Sequence, residues 1–232
     1  MFEVKSLPQN APQNASKNDL TPETDTKDSP LPVVSRARSK ERNRQKILDS
    51  AMALFRERGF EAATLRDIAK AAGLSTGALF ANFADKNEIF LIVVEQENAR
   101  VINVMREAYD ENLDLADRLH KQLMRGYETA QVNARLILSA FVMKWSHGQT
   151  GLNEVARMSD MVRFALHDTL KAACERKEIP ANAKIDAAAE ILEDLCFANM
   201  RRAFQGGAFD VAQLSDSVTL QVRMVIAGLK KV

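Results

Sequence analysis

Six basic side chains, Arg36, Arg38, Lys40, Arg42, Arg44 and Lys46, occupy every second position of one short run that holds a single acid, Glu41. Cations at that density suit a polyanion, and a nucleic-acid backbone is the commonest one with a regular charge spacing. The charge is local. Residues 36–86 hold eleven Lys or Arg against six Asp or Glu, net +5, whereas residues 1–35 (three against five) and 87–232 (eighteen against twenty) are each net −2, so the total of +1 conceals the asymmetry. Other chemistry is sparse. His120, His147 and His167 have no nucleophile or carboxylate at recognisable spacing, and Cys174 and Cys196 offer no paired ligand spacing for zinc. The expectation is therefore a protein that is not an enzyme and needs no metal or cofactor. Two cysteines cannot form a disulfide framework, the N-terminus lacks the apolar core of a secretory signal, and no run reaches the roughly 18 apolar residues of a membrane span. A reducing, cytoplasmic setting is expected.

The elements that would position the basic residues are helices. Of the 232 residues, 46% are hydrophobic and 27% charged, enough for a sizeable core. Residues 1–35 contain five of the six prolines among Asn, Gln, Ser and Thr and read as a disordered tail. After the basic run, Ile47, Leu48, Ala51, Leu54 and Phe55 mark one face of an amphipathic helix that Gly59 ends, with Phe60 folding back. A second helix starts at Thr64, with Asp67 completing a capping box, and buries Leu65, Ile68, Ala69 and Ala72. Gly73 and Leu74 make a turn, and Ser75 caps a third helix with Leu79 and Phe83 inward. Three short helices with a glycine turn before the third form a helix-turn-helix. Thr76, Gly77, Phe80, Ala81 and Asn82 then face outward, and the small side chains of Gly77 and Ala81 allow close approach to base edges in a major groove.

From Arg44 to Phe90 this sequence resembles the DNA-binding domain of the tetracycline-repressor (TetR) family of bacterial transcription regulators. The residues that carry the resemblance are Ile47-Leu48, Ala51, Leu54-Phe55, Gly59-Phe60, Thr64, Ile68-Ala69, Ala72-Gly73-Leu74-Ser75, Gly77, Leu79-Phe80, Phe83, Lys86 and Glu88. Phe80 departs from it, since that position is usually tyrosine. The resemblance implies DNA contacts at Arg44, Thr64, Arg66, Ser75, Thr76, Gly77, Ala78, Phe80, Ala81, Asn82 and Lys86. Thr64 and Lys86 would grip phosphates, while Arg66 and the third helix would face the major groove, Asn82 reaching a base edge or a phosphate. The arm from Arg36 to Lys46 would lie against the backbone or in the minor groove.

The rest of the chain reads as helix only, with a capping signal at Asp85 and Glu88, a long fourth helix through Met105, and breaks at Gly148 with Gly151 and at Pro180. The fold class is all-α: a tail (1–35), a helix-turn-helix domain (36–86) and a helical ligand-binding and dimerisation domain (87–232). Two last helices, about 185–204 and 211–229, are joined at Gly206-Gly207, and each carries apolar residues on more than one face. The resemblance implies that they pair with their twins in a homodimer. Met105, Met124, Tyr127, Phe141, Met143, Trp145, Met161 and Phe164 are candidates to surround a small-molecule effector. The function implied is a repressor that binds a palindromic double-stranded operator and is released by that effector. The alternative is a DNA-binding protein of the same fold controlled by a protein partner or by oxidation of a cysteine, with Cys174 near Lys171, Arg176 and Lys177.

Overall fold

Local capping sets most helix boundaries in the computed structural model, which describes residues 33–146, 148–204 and 210–230, with side chains at 36–140, 160–204 and 210–230. The helices are α1 (Val33–Arg58), α2 (Leu65–Ala71), α3 (Thr76–Phe80), α4 (Lys86–Glu107), α5 (Leu115–Gln131), α6 (Ala134–Ser146), α7 (Gly148–Glu175), α8 (Ile185–Ala203) and α9 (Ser215–Leu229). No strand occurs among the described residues. Gly59 stops α1 at φ +82°, its amide bonding the Phe55 carbonyl at 2.9 Å. Gly73 stops α2 at φ +67°, where the amides of Gly73 and Leu74 bond the Lys70 and Ala69 carbonyls. A side chain at either position would be strained, which is why glycine marks both turns.

Two cores follow. The head core joins Ile47, Ala51 and Phe55 of α1 to Ile68, Leu79, Phe83 and Phe90, with Phe60 folded back so that its ring centroid lies 4.4 Å from that of Phe90. It also takes in Val93 and Val94 of α4 and Leu136 and Ala140 of α6. The body core gathers Val101, Ile102 and Met105 of α4 with Leu119 and Tyr127 of α5, Leu166 and Leu170 of α7, Leu192 of α8 and Val222 of α9. Buried polar groups tie these helices together. Gln122 donates to the Met105 carbonyl (3.2 Å) and accepts from Thr169 (2.9 Å), joining α4, α5 and α7. The Asn199 amide nitrogen donates to Tyr127 (3.3 Å) and Gln221 (2.7 Å), joining α5, α8 and α9.

Three sequence expectations need correction. Helix α1 begins at Val33, so the basic run lies within the first helix and does not precede it, and residues 33–35 belong to the helix and not to a tail. Of that tail, residues 1–32 lie outside the described residues. Gly151 lies inside α7 (Gly148–Glu175) and marks no break. A short 3-10 turn, Ala212–Leu214, precedes α9, whose start is therefore Ser215 and not 211. The Gly206-Gly207 turn is outside the described residues.

Arg118 is the largest wholly buried side chain among the described residues and is 1% exposed. Its guanidinium donates to the carbonyls of Asp110 and Leu113 and pairs with Glu178 at 3.1 Å, pinning the α4–α5 loop to the chain after α7. Removing one partner of a buried pair costs roughly 3–5 kcal/mol. Glu178 keeps Arg176 at 2.8 Å, so the low end applies. Arg118→Ala should therefore lower stability by about 3 kcal/mol, read from the urea midpoint at unchanged slope.

Candidate nucleic-acid interface

The outward residues of α3 are held there by what its inward residues do. Leu79 is fully buried and Phe83 nearly so, and Ser75 caps the helix by accepting from the Ala78 amide at 3.1 Å. This leaves Ser75, Thr76, Gly77, Phe80 and Ala81 exposed and Ala78 half-buried. The Phe80 ring is 56% exposed, so the chain's own core does not claim it. Arg66 is exposed on α2 and makes no hydrogen bond or ion pair with another described residue. These six, with Arg66, form one accessible surface on the helix-turn-helix.

Four other expected contacts are occupied within the protein. Thr64 caps α2: its hydroxyl donates to Asp67 at 2.6 Å and accepts from the Asp67 amide at 3.1 Å. Lys86 donates from Nζ to the Phe60 carbonyl at 2.9 Å and sits 4.2 Å from the Phe60 ring centroid, closing the turn between α1 and α2. Arg44 donates to the Asn82 carbonyl at 3.1 Å and stacks 4.4 Å from the Phe83 ring centroid. Asn82 is the clearest correction. Its Nδ2 donates to the Ala78 carbonyl at 2.8 Å and its Oδ1 is buried without a partner, so the side chain turns inward and not toward a base. The bond to Ala78 reaches back one turn of helix, a local alternative to facing DNA that the residue types alone did not decide. The sequence reading also missed Arg135, which reaches from α6 to donate to the Glu57 carbonyl near the end of α1 at 2.5 Å. An arginine 78 positions from its acceptor leaves no sequence signature.

The proposed effector residues are dispersed. Met105 and Tyr127 belong to the body core, and Met124 and Met161 pack against it. The Tyr127 hydroxyl accepts from Asn199, and burial raises its pKa well above the usual phenol value. Phe164 is 56% exposed beside Arg163 on the outer side of α7, so it does not line an interior cavity. The side chains of Phe141, Met143 and Trp145 lie outside the described residues. Cys174 donates to the Pro180 carbonyl at 3.6 Å, and burial pushes the Cys196 thiol up to about 11, away from the reactive thiolate.

A two-core, all-helical chain with an exposed recognition helix is a helix-turn-helix DNA-binding protein in architecture. A family model described as "Bacterial regulatory proteins, tetR family" matches residues 47–93. The HTH-type transcriptional repressor AcnR of Corynebacterium efficiens is 33% identical over 123 residues, 50% of this chain and 63% of its own length. The HTH-type transcriptional repressor KstR2 of Mycobacterium tuberculosis is 23% identical over 189 residues, 81% of this chain and 93% of its own. The solved structure of the fatty acid degradation regulator FadR from Bacillus halodurans superposes with a TM-score of 0.64 at 17% identity, covering 81% of this chain and 96% of that one. Residues 47–93 thus carry a TetR-family DNA-binding domain, and the whole chain is similar in fold to regulators of that kind. Its match spans less than two thirds of the AcnR chain, while the likeness to FadR extends the fold over the body.

Two outcomes follow from the geometry. Arg44→Met keeps the stem and removes the guanidinium, so the DNA-free protein should lose about 1 kcal/mol by urea denaturation; a residue serving only as a phosphate contact would leave that value unchanged. The Thr64 hydroxyl bond holds the Asp67 carboxyl below its ordinary value. Its contribution is thus full above the ordinary carboxylate range and lost as pH falls through the lowered pKa. Asp67→Asn should accordingly flatten the acid side of a thermal-stability profile.

Proposed function

We propose that this protein is a transcriptional repressor that binds a roughly palindromic operator as a homodimer and leaves it when a small molecule binds the body. The observation that carries the reading is the unclaimed α3 face with Phe80 at its centre, on a domain whose relatives AcnR and KstR2 are both transcriptional repressors. In this reading Arg66 pairs with guanine, and Thr76, Ala78 and Phe80 meet thymine methyl groups. Ser75, Gly77 and Ala81 keep the backbone close to the duplex. Thr64 and Lys86 would reach phosphates only by sharing or exchanging their present partners, which ranks them below Arg66 as anchors. Arg44 and Asn82 support α3 from behind. The division of labour falls near residue 86, with residues 36–86 reading DNA and residues 87–232 carrying effector binding and dimerisation.

Dimerisation is assigned to α8 and α9. Ile191 on α8 is 49% exposed, and Leu220 and Met224, one turn apart on α9, are 62% and 66% exposed, apolar side chains that water disfavours and a second copy would cover. The effector site is assigned to the middle of the body, around Met105, Met124, Tyr127 and Met161. Helix α4 carries the signal, because a ligand releases DNA only by favouring a conformation whose two heads are wrongly spaced. No membrane partner is assigned, and among the described residues no helix is long and apolar enough to cross a membrane.

Selection from a random duplex pool should return a site with two-fold symmetry and half-sites about one helical turn, ~34–36 Å, apart or a small multiple of it. Leu220→Glu with Met224→Glu should give a folded monomer by sedimentation that no longer selects the symmetric site. A monomer that bound an asymmetric site as tightly as the parent would refute the dimeric reading. Phe80→Tyr adds a hydroxyl able to reach a phosphate and should tighten binding without changing the preferred sequence. A panel of small molecules screened against the preformed complex reads the release step directly.

A further inference from the structure

We propose that the first half of α1 is a helical phosphate clamp that lies along duplex DNA flanking the half-site and reads no sequence there. The inference rests on the operator binding proposed above and adds a second contact to it. Helix α1 starts at Val33, yet its first buried residue is Ile47. About fourteen residues, roughly 21 Å of helix, therefore run beyond the head core. Arg36, Arg38, Lys40 and Arg42 are exposed there and make no hydrogen bond or ion pair with another described residue.

On its own this segment is a poor helix. The six cations form two rows at i, i+4 spacing, Arg36–Lys40–Arg44 and Arg38–Arg42–Lys46, and like charges at that spacing repel. The first turn has no acid, so nothing on it complements the positive end of the helix dipole. A packed face offsets such costs elsewhere in the molecule, but here no described side chain before Ile47 is buried, and Arg44 alone of the six cations touches the head. A polyanion would relieve both terms at once.

The rows identify which polyanion and on which side. Arg36 and Lys40 continue the line of Arg44, Ile47 and Ala51, the face turned toward the α2–α3–α4 core. Arg44, the next member, already touches the turn after α3 through the Asn82 carbonyl and the Phe83 ring. The row is thus continuous with the recognition surface, which makes the partner the same duplex and not a separate macromolecule. Being helical, the segment has a diameter of about 10–12 Å and does not fit a minor groove about 6 Å wide. With α3 in the major groove of the half-site, as proposed above, the row is left to lie against phosphates. The second row points to the opposite side of the helix.

Two double variants of the full chain carry the same charge and separate the rows: Arg36→Gln with Lys40→Gln, and Arg38→Gln with Arg42→Gln. Each is titrated by fluorescence anisotropy across NaCl concentrations against the duplex selected from the random pool, with flanks intact or trimmed to the selected site, and against a mixed-sequence duplex. The first variant should make the slope of log affinity against log salt shallower by about 3–4 per dimer, at roughly 0.9 per lost phosphate contact and two contacts per protomer. Its preferred sequence should not change, and trimming the flanks should weaken the parent but not this variant. The second variant should change the slope much less. Equal effects from both variants would show a general charge effect and overturn the clamp, as would a larger effect from the second row or minor-groove protection of the flanks. If the parent selects no sequence, the operator reading fails by itself, and the slopes on the mixed-sequence duplex still decide the clamp.

Discussion

Helix α4 belongs to two cores at once. Its first half, through Ile89, Phe90, Val93 and Val94, closes the head, and its second half, through Val101, Ile102 and Met105, enters the body. Between them Glu97 is 3% exposed, with both carboxylate oxygens on Arg100 at 2.9 and 2.6 Å, and Arg100 also donates to the Thr129 carbonyl. That ion pair raises the Arg100 pKa and gives the seam a polar, directional joint where apolar packing would be indifferent to small rotations. Asn133 adds a buried Oδ1 without a partner. The two cores thus meet at a polar joint on one continuous helix, and α6 bridges them a second time through Leu136 and Ala140.

The anchoring of the far end follows the same logic. The Met105 carbonyl accepts from Gln122, which in turn accepts from Thr169, so the last turn of α4 is held by two body helices through buried hydrogen bonds. Such bonds are costly to leave unmade, and they fix the depth at which α4 sits. At the near end, Asp85 accepts from the Glu88 amide at 2.8 Å and Lys86 reaches back to the Phe60 carbonyl. The rod is thus capped into the head and pinned into the body by different chemistry.

The head was legible in the sequence because its determinants are local. The caps at Thr64, Ser75 and Asp85 each find their partner three residues on, and Gly59 and Gly73 each sit where a positive φ is required. The features that were not legible depend on how the helices pack. The Asn82 side chain turns inward onto the Ala78 carbonyl one turn back, while its own carbonyl receives Arg44 from 38 positions away. The helical state of residues 33–46 has no apolar period to announce it, since the first buried residue of the helix is Ile47. Phe164 has the composition of a cavity residue, but the rotation of α7 against α8 decides which face it occupies. The body's two-sided helices were recognisable from apolar residues on more than one face, whereas the choice of which side stays open to water, at Ile191, Leu220 and Met224, required the packed structure.

Leu136 and Ala140 of α6 complete the head core, and Arg135 ties the same helix to the end of α1. The unit that folds around the recognition helix is consequently discontinuous in the chain, made from α1 to the first half of α4 plus the first half of α6. Anyone grafting this head onto another body by a single cut after α4 begins would leave a hole where Leu136 was and an uncapped carbonyl at Glu57. A chimera that keeps this head intact has to carry two separate stretches of sequence.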